Sequence, residues 1–356
     1  MNARVRQGDM NTRSAPRTIL VLHLAGITRV LLALPALRAL RQHFGEARIA
    51  VVTGSSCVDL VEMAQCADEA LPMGRFQGAE LLGPRAFYRS LGSIGQLRRQ
   101  HFDLAIDLTP NVESEFLMRL ALPVSRMGER TASRGGMAPL IERFRRLLNP
   151  APALALHQSH QYLKLLEPLG VRPVEAEPRL TTDPVSDEKI EKLLRKHGAQ
   201  AGELLVGVHP GADHLLGRWP VERFTSIASR LIHNFNARVL VFTGPSERGM
   251  AKKMVASLPA KRAIALESPS IRDFVSASAR LSLLVANHAA PAHLAAAVRT
   301  PVLAASVSTG STPWDVLGAN VVHVRAPHAE LIAEEEIYEA ACRLLKINRA
   351  EFLWRR

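Results

Sequence analysis

"ILVLHLAGITRVLLALPALRAL", residues 19–40, is the stretch that decides the fold. It has the length of a membrane span, about 20 residues. Yet it carries His23, Arg29 and Arg38, and Gly26 and Pro35 interrupt it. A strand at Ile19–Leu24, a turn at Ala25–Thr28 and an amphipathic helix at Arg29–Phe44 account for these residues better. The next stretches continue the pattern. "ARIAVVTG" (47–54) reads as a strand, "CVDLVEMAQ" opens a helix, and "FDLAIDLT" (102–109) is a further strand after the helical "FYRSLGSIGQLRRQ". Such alternation predicts a parallel sheet with helices on both faces. "HQSHQYLKLLEPLG" (157–170) reads as a helix that stops at Gly170.

The Pro- and acid-rich "VRPVEAEPRLTTDPVSDEKIEKLL" then reads as a linker running into a helix, after which the alternation restarts. "ELLVGVHPGA", "ARVLVFTGPSE", "LSLLVAN" and "PVLAASV" read as strands. "PVERFTSIASRLIHNF", "SIRDFVSASARL", His293–Ala297 and Glu334–Ile347 read as helices. The expected organisation is a disordered basic tail (1–16), a first Rossmann-like domain (17–178), a linker and helix (179–200) and a second such domain (201–330). A last helix (331–356) is expected to pack back on the first domain. Two doubly wound halves imply a cleft between the carboxyl ends of their strands.

At 356 residues, with 47% hydrophobic and 22% charged residues, the chain has the composition of a globular protein of two domains. Cys57, Cys66 and Cys342 have neither C-x-x-C spacing nor an even count, so neither a disulfide framework nor a zinc cluster is expected, and a reducing cytoplasm fits. Residues 1–17 lack the apolar core of a secretory signal. The net charge of +12 calls for an anionic partner, and Arg143, Arg145 and Arg146 form its tightest cluster. With 5% aromatic residues and no RNA-binding aromatic motif, nucleic acid is not the expected partner. An anionic membrane surface or a phosphorylated glycolipid is.

Three loops in the second half, each at a strand's carboxyl end, carry the candidate chemistry. In "HPGADHLLGRWP" (209–220), His209 ends the strand, Gly211 permits a tight turn, and Arg218 either reaches a phosphate as a bidentate donor or is a solvated charge beside a core Trp219. In "TGPSERG" (243–249), after Thr243, Glu247 either accepts hydrogen bonds from a ribose or pairs with Arg248 or water. In "LLVANHAAPAHLAAA" (283–297), a helix starting past Asn287 offers backbone N–H groups to an anion, although Ala289 and Ala290 stand where Gly, Ser or Thr is usual. His288 and His293, five residues apart, do not share a helix face, and no metal site is expected there.

Taken in order, "HPGA…RWP.ERF", "TGP.E" and "N….P.HLAAA…TPV" resemble the nucleotide-binding half of the ADP-heptose:lipopolysaccharide heptosyltransferases, glycosyltransferase family nine. The opening strand, loop and helix are similar as well, so the resemblance runs from Arg17 to about Leu345. It implies a GT-B fold of two Rossmann-like domains. It implies inverting transfer, without metal or cofactor, from a nucleotide-sugar donor such as ADP-heptose to a lipopolysaccharide-type acceptor. Glu247 falls on the ribose-binding glutamate, and Asn287–His293 on the segment that holds the donor diphosphate. The loop with Gly26 and Thr28 falls on the acceptor side, and Pro84–Arg89 and Ser125–Arg146 are where further acceptor contacts are expected.

The chain departs from the family pattern at three places. Thr28 and Arg29 replace a Gly-Asp pair whose aspartate is the expected base, Gly217 replaces a phosphate-neutralising lysine, and His288-Ala289-Ala290 replaces Asp-Thr-Gly. Arginine stays protonated and takes no base role, though Arg29 can hold a diphosphate or an anionic acceptor. His288 either substitutes for the base, bonds a sugar hydroxyl, or caps a turn. Two readings follow, an active glycosyltransferase and a catalytically impaired nucleotide-binding or scaffold protein. A nucleotide-sugar epimerase is disfavoured, since no G-x-G-x-x-G follows the first strand.

Overall fold

The computed structural model describes residues 15–73, 99–110, 114, 117, 118, 121, 123, 125–128, 156–172, 174–212, 217–259 and 261–354. Residues 19–40 are indeed a strand followed by a helix. In β1 (Thr18–His23) every residue after Thr18 is buried, as a strand covered on both faces requires. Gly26 then opens α1 (Ile27–His43). The helix starts two residues earlier than the pattern suggests, and it is not one-sided: Val30 to Leu37 are all buried, Pro35 included. A helix enclosed this far reads as apolar on every side, which is why it mimics a membrane span. No helix among the described residues is long and apolar enough to cross a membrane.

The first unit, Met1–Ala176, continues with β2 (Arg48–Gly54), α2 (Val58–Ala64), β3 (Glu69–Met73), β4 (Leu104–Asp107), β5 (Ser125–Gly128) and α3 (Gln158–Leu165). Its strands are all parallel in the order β3-β2-β1-β4-β5. Leu22 lies opposite both Val52 and Asp107, so His23, Gly54 and Asp107 come out together at the carboxyl edge. The basic cluster Arg143, Arg145 and Arg146, the acceptor candidates at 84–89 and 129–146, and the tail at 1–14 lie outside the described residues.

The second unit, Glu177–Arg356, begins with α4 (Pro184–Lys196), whose first turn the Asp183 carboxylate caps by accepting from Ser186 N–H. β6 (Leu205–His209), α5 (Val221–Phe235), β7 (Arg238–Thr243), α6 (Met250–Ala256), β8 (Ala263–Glu267), α7 (Ile271–Ser278), β9 (Leu283–Asn287), α8 (Ala290–Ala297), β10 (Val302–Val307), β11 (Val321–Ala326) and α9 (Glu334–Trp354) follow. These strands are also parallel, in the order β11-β10-β9-β6-β7-β8.

Buried Phe224, Ile227, Ala228, Leu231 and Ile232 recur at helical spacing and turn α5 onto this sheet. Trp219 is fully enclosed edge-to-face with Phe224, their centroids 4.8 Å apart, and each ring contributes about 2–3 kcal/mol by burial. Helix α4 is tied to its own unit, since Lys189 and Asp187 pair with Asp273 and Arg280 of the α7 segment. The final helix joins this unit's core through Ile337, Ala340, Ala341, Leu344 and Leu345.

Candidate functional site

His209, Thr243 and Asn287 are the last residues of β6, β7 and β9. In a parallel sheet these ends share one edge, so the three candidate loops start side by side. Asn287 is fully buried and ties two of them together. Its amide Nδ2 donates to Pro210 O (2.9 Å) and Gly211 O (3.1 Å), and its Oδ1 accepts from Trp219 N–H (2.9 Å). That role is scaffolding, and it fixes where the 209–220 loop leaves the sheet. His209 is also buried, its ring edge-on to Phe274 at 6.5 Å.

Glu247 ends a short turn, Pro245–Glu247, and its carboxylate is turned inward. Oε2 accepts from Gly244 N–H at 2.8 Å and Oε1 from Arg218 Nη2 at 3.3 Å. The partner is Arg218, not the adjacent Arg248, and the Arg218 side chain is largely buried, no solvated charge. Gly211 is required by this arrangement, since a Cβ there would lie 2.2–2.5 Å from the Glu247 carboxylate. At Gly217 a side chain would meet nothing within 4 Å. Among the described residues, the buried Thr243 hydroxyl and Arg218 Nε have no hydrogen-bond partner. Buried polar atoms left unpaired are costly, and a bound polar ligand is one way to complete them.

The third loop leads into α8 with Ala289 as its cap, which makes no side-chain capping hydrogen bond. The backbone offers less than the sequence suggests. Pro291 has no N–H, and Ala292 N–H turns back onto Ala289 O at 3.0 Å. His288 precedes the helix, so the helix-face rule that separated it from His293 does not apply, and the two rings lie 5.6 Å apart. His323 of β11 also stands 5.6 Å from His288, and His288 Nε2–H donates to Trp314 O at 3.1 Å. His288, Asp315 and His323 each bring a possible ligand atom within 4.8 Å of the others. Trp314, Asp315, His323 and Arg325 escaped the sequence reading, although the Ser- and Thr-rich "SVSTGSTPWD" after β10 marks just such a loop.

In the first unit, Gly26 is the cap of α1, Thr28 is half-buried in its first turn, and Arg29 is exposed. His23, fully buried, donates from Nε2 to Arg29 O (3.0 Å), accepts the Thr109 hydroxyl at Nδ1 (3.3 Å) and packs edge-on against Tyr162. Burial pushes its pKa down to about 4. Asp107, at the same edge, accepts from Thr109 N–H at 3.0 Å, and burial raises its pKa. Neither residue was among the sequence candidates.

Two parallel Rossmann-like units, the second with a buried carboxylate and a helix end on its carboxyl edge, give the two-domain architecture of the GT-B kind. Residues 91–341 match the profile of "Glycosyltransferase family 9 (heptosyltransferase)". The chain belongs to that family. It is 25% identical over 304 residues, 82% of this chain and 84% of the relative, to lipooligosaccharide heptosyltransferase 2 of Haemophilus influenzae. Among solved structures it resembles a family 9 glycosyltransferase from Veillonella parvula, with a TM-score of 0.76, 18% identity and coverage of 92% and 97% of the two chains. It also resembles the ADP-heptose lipopolysaccharide heptosyltransferase II of E. coli, with a TM-score of 0.72, 21% identity and coverage of 93% and 99%.

Proposed function

We propose that the chain transfers a heptose or similar sugar, with inversion and without metal, from a nucleoside-diphosphate donor to a hydroxyl of a lipopolysaccharide-type glycan. The observation that carries this reading is the Glu247 pocket. A buried carboxylate is held in place by Gly244 N–H and Arg218, against a glycine that leaves it room. Such an oxygen pair, 6% exposed, suits the two hydroxyls of a ribose, and the unpaired Thr243 hydroxyl lies four residues upstream. The relatives supply the donor class, since the E. coli protein of similar fold is an ADP-heptose lipopolysaccharide heptosyltransferase. The donor lies on the second unit near His209, Gly211, Arg218, Glu247 and Asn287–His293. The acceptor lies on the first unit, where Gly26, Thr28 and the exposed Arg29 meet its anionic groups and the basic surface meets the membrane.

The impaired-enzyme reading keeps one observation of its own. Arg218 already donates to the Glu247 Oε1 that a ribose would use. Calorimetric titration of the purified protein with ADP, UDP and GDP, with Glu247→Ala in parallel, tests for the donor site, and a screen for sugar transfer to acceptors then separates an active enzyme from an impaired one. The transferase reading expects about micromolar binding of one nucleotide, near 8 kcal/mol, weakened at least tenfold in the variant. A folded protein that binds none of the three has no donor site, and the scaffold reading then stands.

A further inference from the structure

We propose that Arg218 determines specificity at the donor site: beside Glu247 it donates from Nε–H to one of the two ring hydroxyls of the donor's ribose, and the protein thereby selects ribonucleotides over deoxynucleotides. This rests on the donor-site reading above. A hydroxyl both donates and accepts, whereas an ionised carboxylate only accepts. Glu247 alone therefore satisfies half of such a group, and full recognition needs an N–H or O–H donor at its side.

Arg218 stands in that place. Its Nη2 donates to Glu247 Oε1 at 3.3 Å. In a planar guanidinium, Nε–H and one N–H of Nη2 lie on the same edge and point the same way, as two parallel prongs. One prong is on the carboxylate. The other, Nε–H, is buried and has no hydrogen-bond partner. The side chain as a whole is 23% exposed, so Nε is turned inwards while other atoms of the residue meet solvent. A hydroxyl entering beside Glu247 accepts from the open prong and donates to Oε1. The carboxylate has room for it, since such a group accepts about four hydrogen bonds. Glu247 accepts only from Arg218 and from Gly244 N–H.

The surroundings hold this pair in place. Trp219 N–H donates to the buried Asn287 Oδ1, which fixes the backbone next to Arg218. Gly244 N–H holds Oε2 at 2.8 Å, and Gly211 leaves the carboxylate its space. Thr243 adds a second open group on the same face of the sheet. Val239 and Val241 of β7 belong to the core that encloses Trp219, and side chains alternate along a strand, so Thr243 points to that face as well. Its buried hydroxyl has no partner either. The competing reading is that Arg218 only neutralises Glu247 and ties down the 209–220 loop. That role treats ribo- and deoxynucleotides alike, whereas a bond to a ribose hydroxyl changes the ratio of their affinities.

The test is calorimetry with ADP, UDP and GDP, each beside its 2′-deoxy and 3′-deoxy form, on the unaltered protein, Arg218→Met and Arg218→Lys. The unaltered protein should bind one ribonucleotide at least about tenfold more tightly than one of its deoxy forms, which leaves Nε–H open. In Arg218→Met the ribonucleotide weakens while that deoxy form binds as before, and the ratio closes to within about threefold. Arg218→Lys keeps a charge beside Glu247 but loses the two-pronged edge, so its ratio closes in the same way. The lysine variant carries the test should the methionine variant fail to fold. No discrimination by the unaltered protein, a full ratio in either variant, or equal weakening of ribo- and deoxynucleotides overturns the proposal. Absence of binding by all three ribonucleotides defeats the donor-site reading itself, a different outcome from binding without discrimination.

Discussion

Two glycines in one loop show how unequal single positions are. Gly211 lies so close to Glu247 that the first side-chain atom would overlap both carboxylate oxygens, whereas Gly217 faces open space. The expected outcome for Gly211→Ala is displacement of the Glu247 carboxylate at a cost of about 1–3 kcal/mol in stability. Nucleotide affinity measured by calorimetry should fall at least about tenfold with it. Gly217→Lys should leave the melting temperature where it is. An alanine variant at 211 that binds nucleotide normally would mean that Glu247 is not the ribose contact. The sequence marks Gly211 and Glu247 separately as candidates. Their interdependence is hidden because they are 36 residues apart and meet only where β6 and β7 end side by side.

At the scale of elements, the turn from β1 into α1 is held by a histidine inside the protein. His23 Nε2–H donates to Arg29 O, so the end of the strand is bonded to the first turn of the helix. Its pKa lies near 4 when folded against 6.5 as an ordinary histidine, so between those values the unfolded chain binds the proton and the folded one does not. Stability from this group is therefore full above about pH 6.5 and lost as the pH falls towards 4, to a total of about 3 kcal/mol. Urea unfolding at neutral and acid pH should show His23→Gln losing less stability on acidification than the unaltered protein, by about that amount. Equal losses would place the proton elsewhere.

The strands themselves divide by legibility. β1, β2, β6, β7, β9 and β10 are buried almost end to end and read as apolar runs. β3, β5, β8 and β11 gave no such signal, and all four are sheet edges. An edge strand is covered less completely, and stretches such as "EALPM" and "VVHVRA" mix polar and apolar residues to match. The histidine cluster was obscure for the same reason, since His323 and Arg325 ride on the edge strand β11.

At the scale of the whole molecule, the chain divides at Ala176/Glu177, and every donor-side candidate falls in the second unit. That unit has a core of its own, running from Val206 to Leu345 and including the final helix. A unit with a core of its own meets the main condition for folding alone. The division lies two residues from the expected end of the first domain at 178, inside the Pro-rich stretch, and α4 behind that stretch is anchored by Asp187 and Lys189 to the α7 segment. The fragment Glu177–Arg356 should accordingly unfold in one cooperative urea transition. It should also bind the same nucleotide as the full chain to within about threefold, a difference below 1 kcal/mol, and lose it on Glu247→Ala. If the fragment folds but binds far more weakly, the first unit supplies part of the donor grip, and the exposed Arg29 at the start of α1 becomes the residue to substitute next.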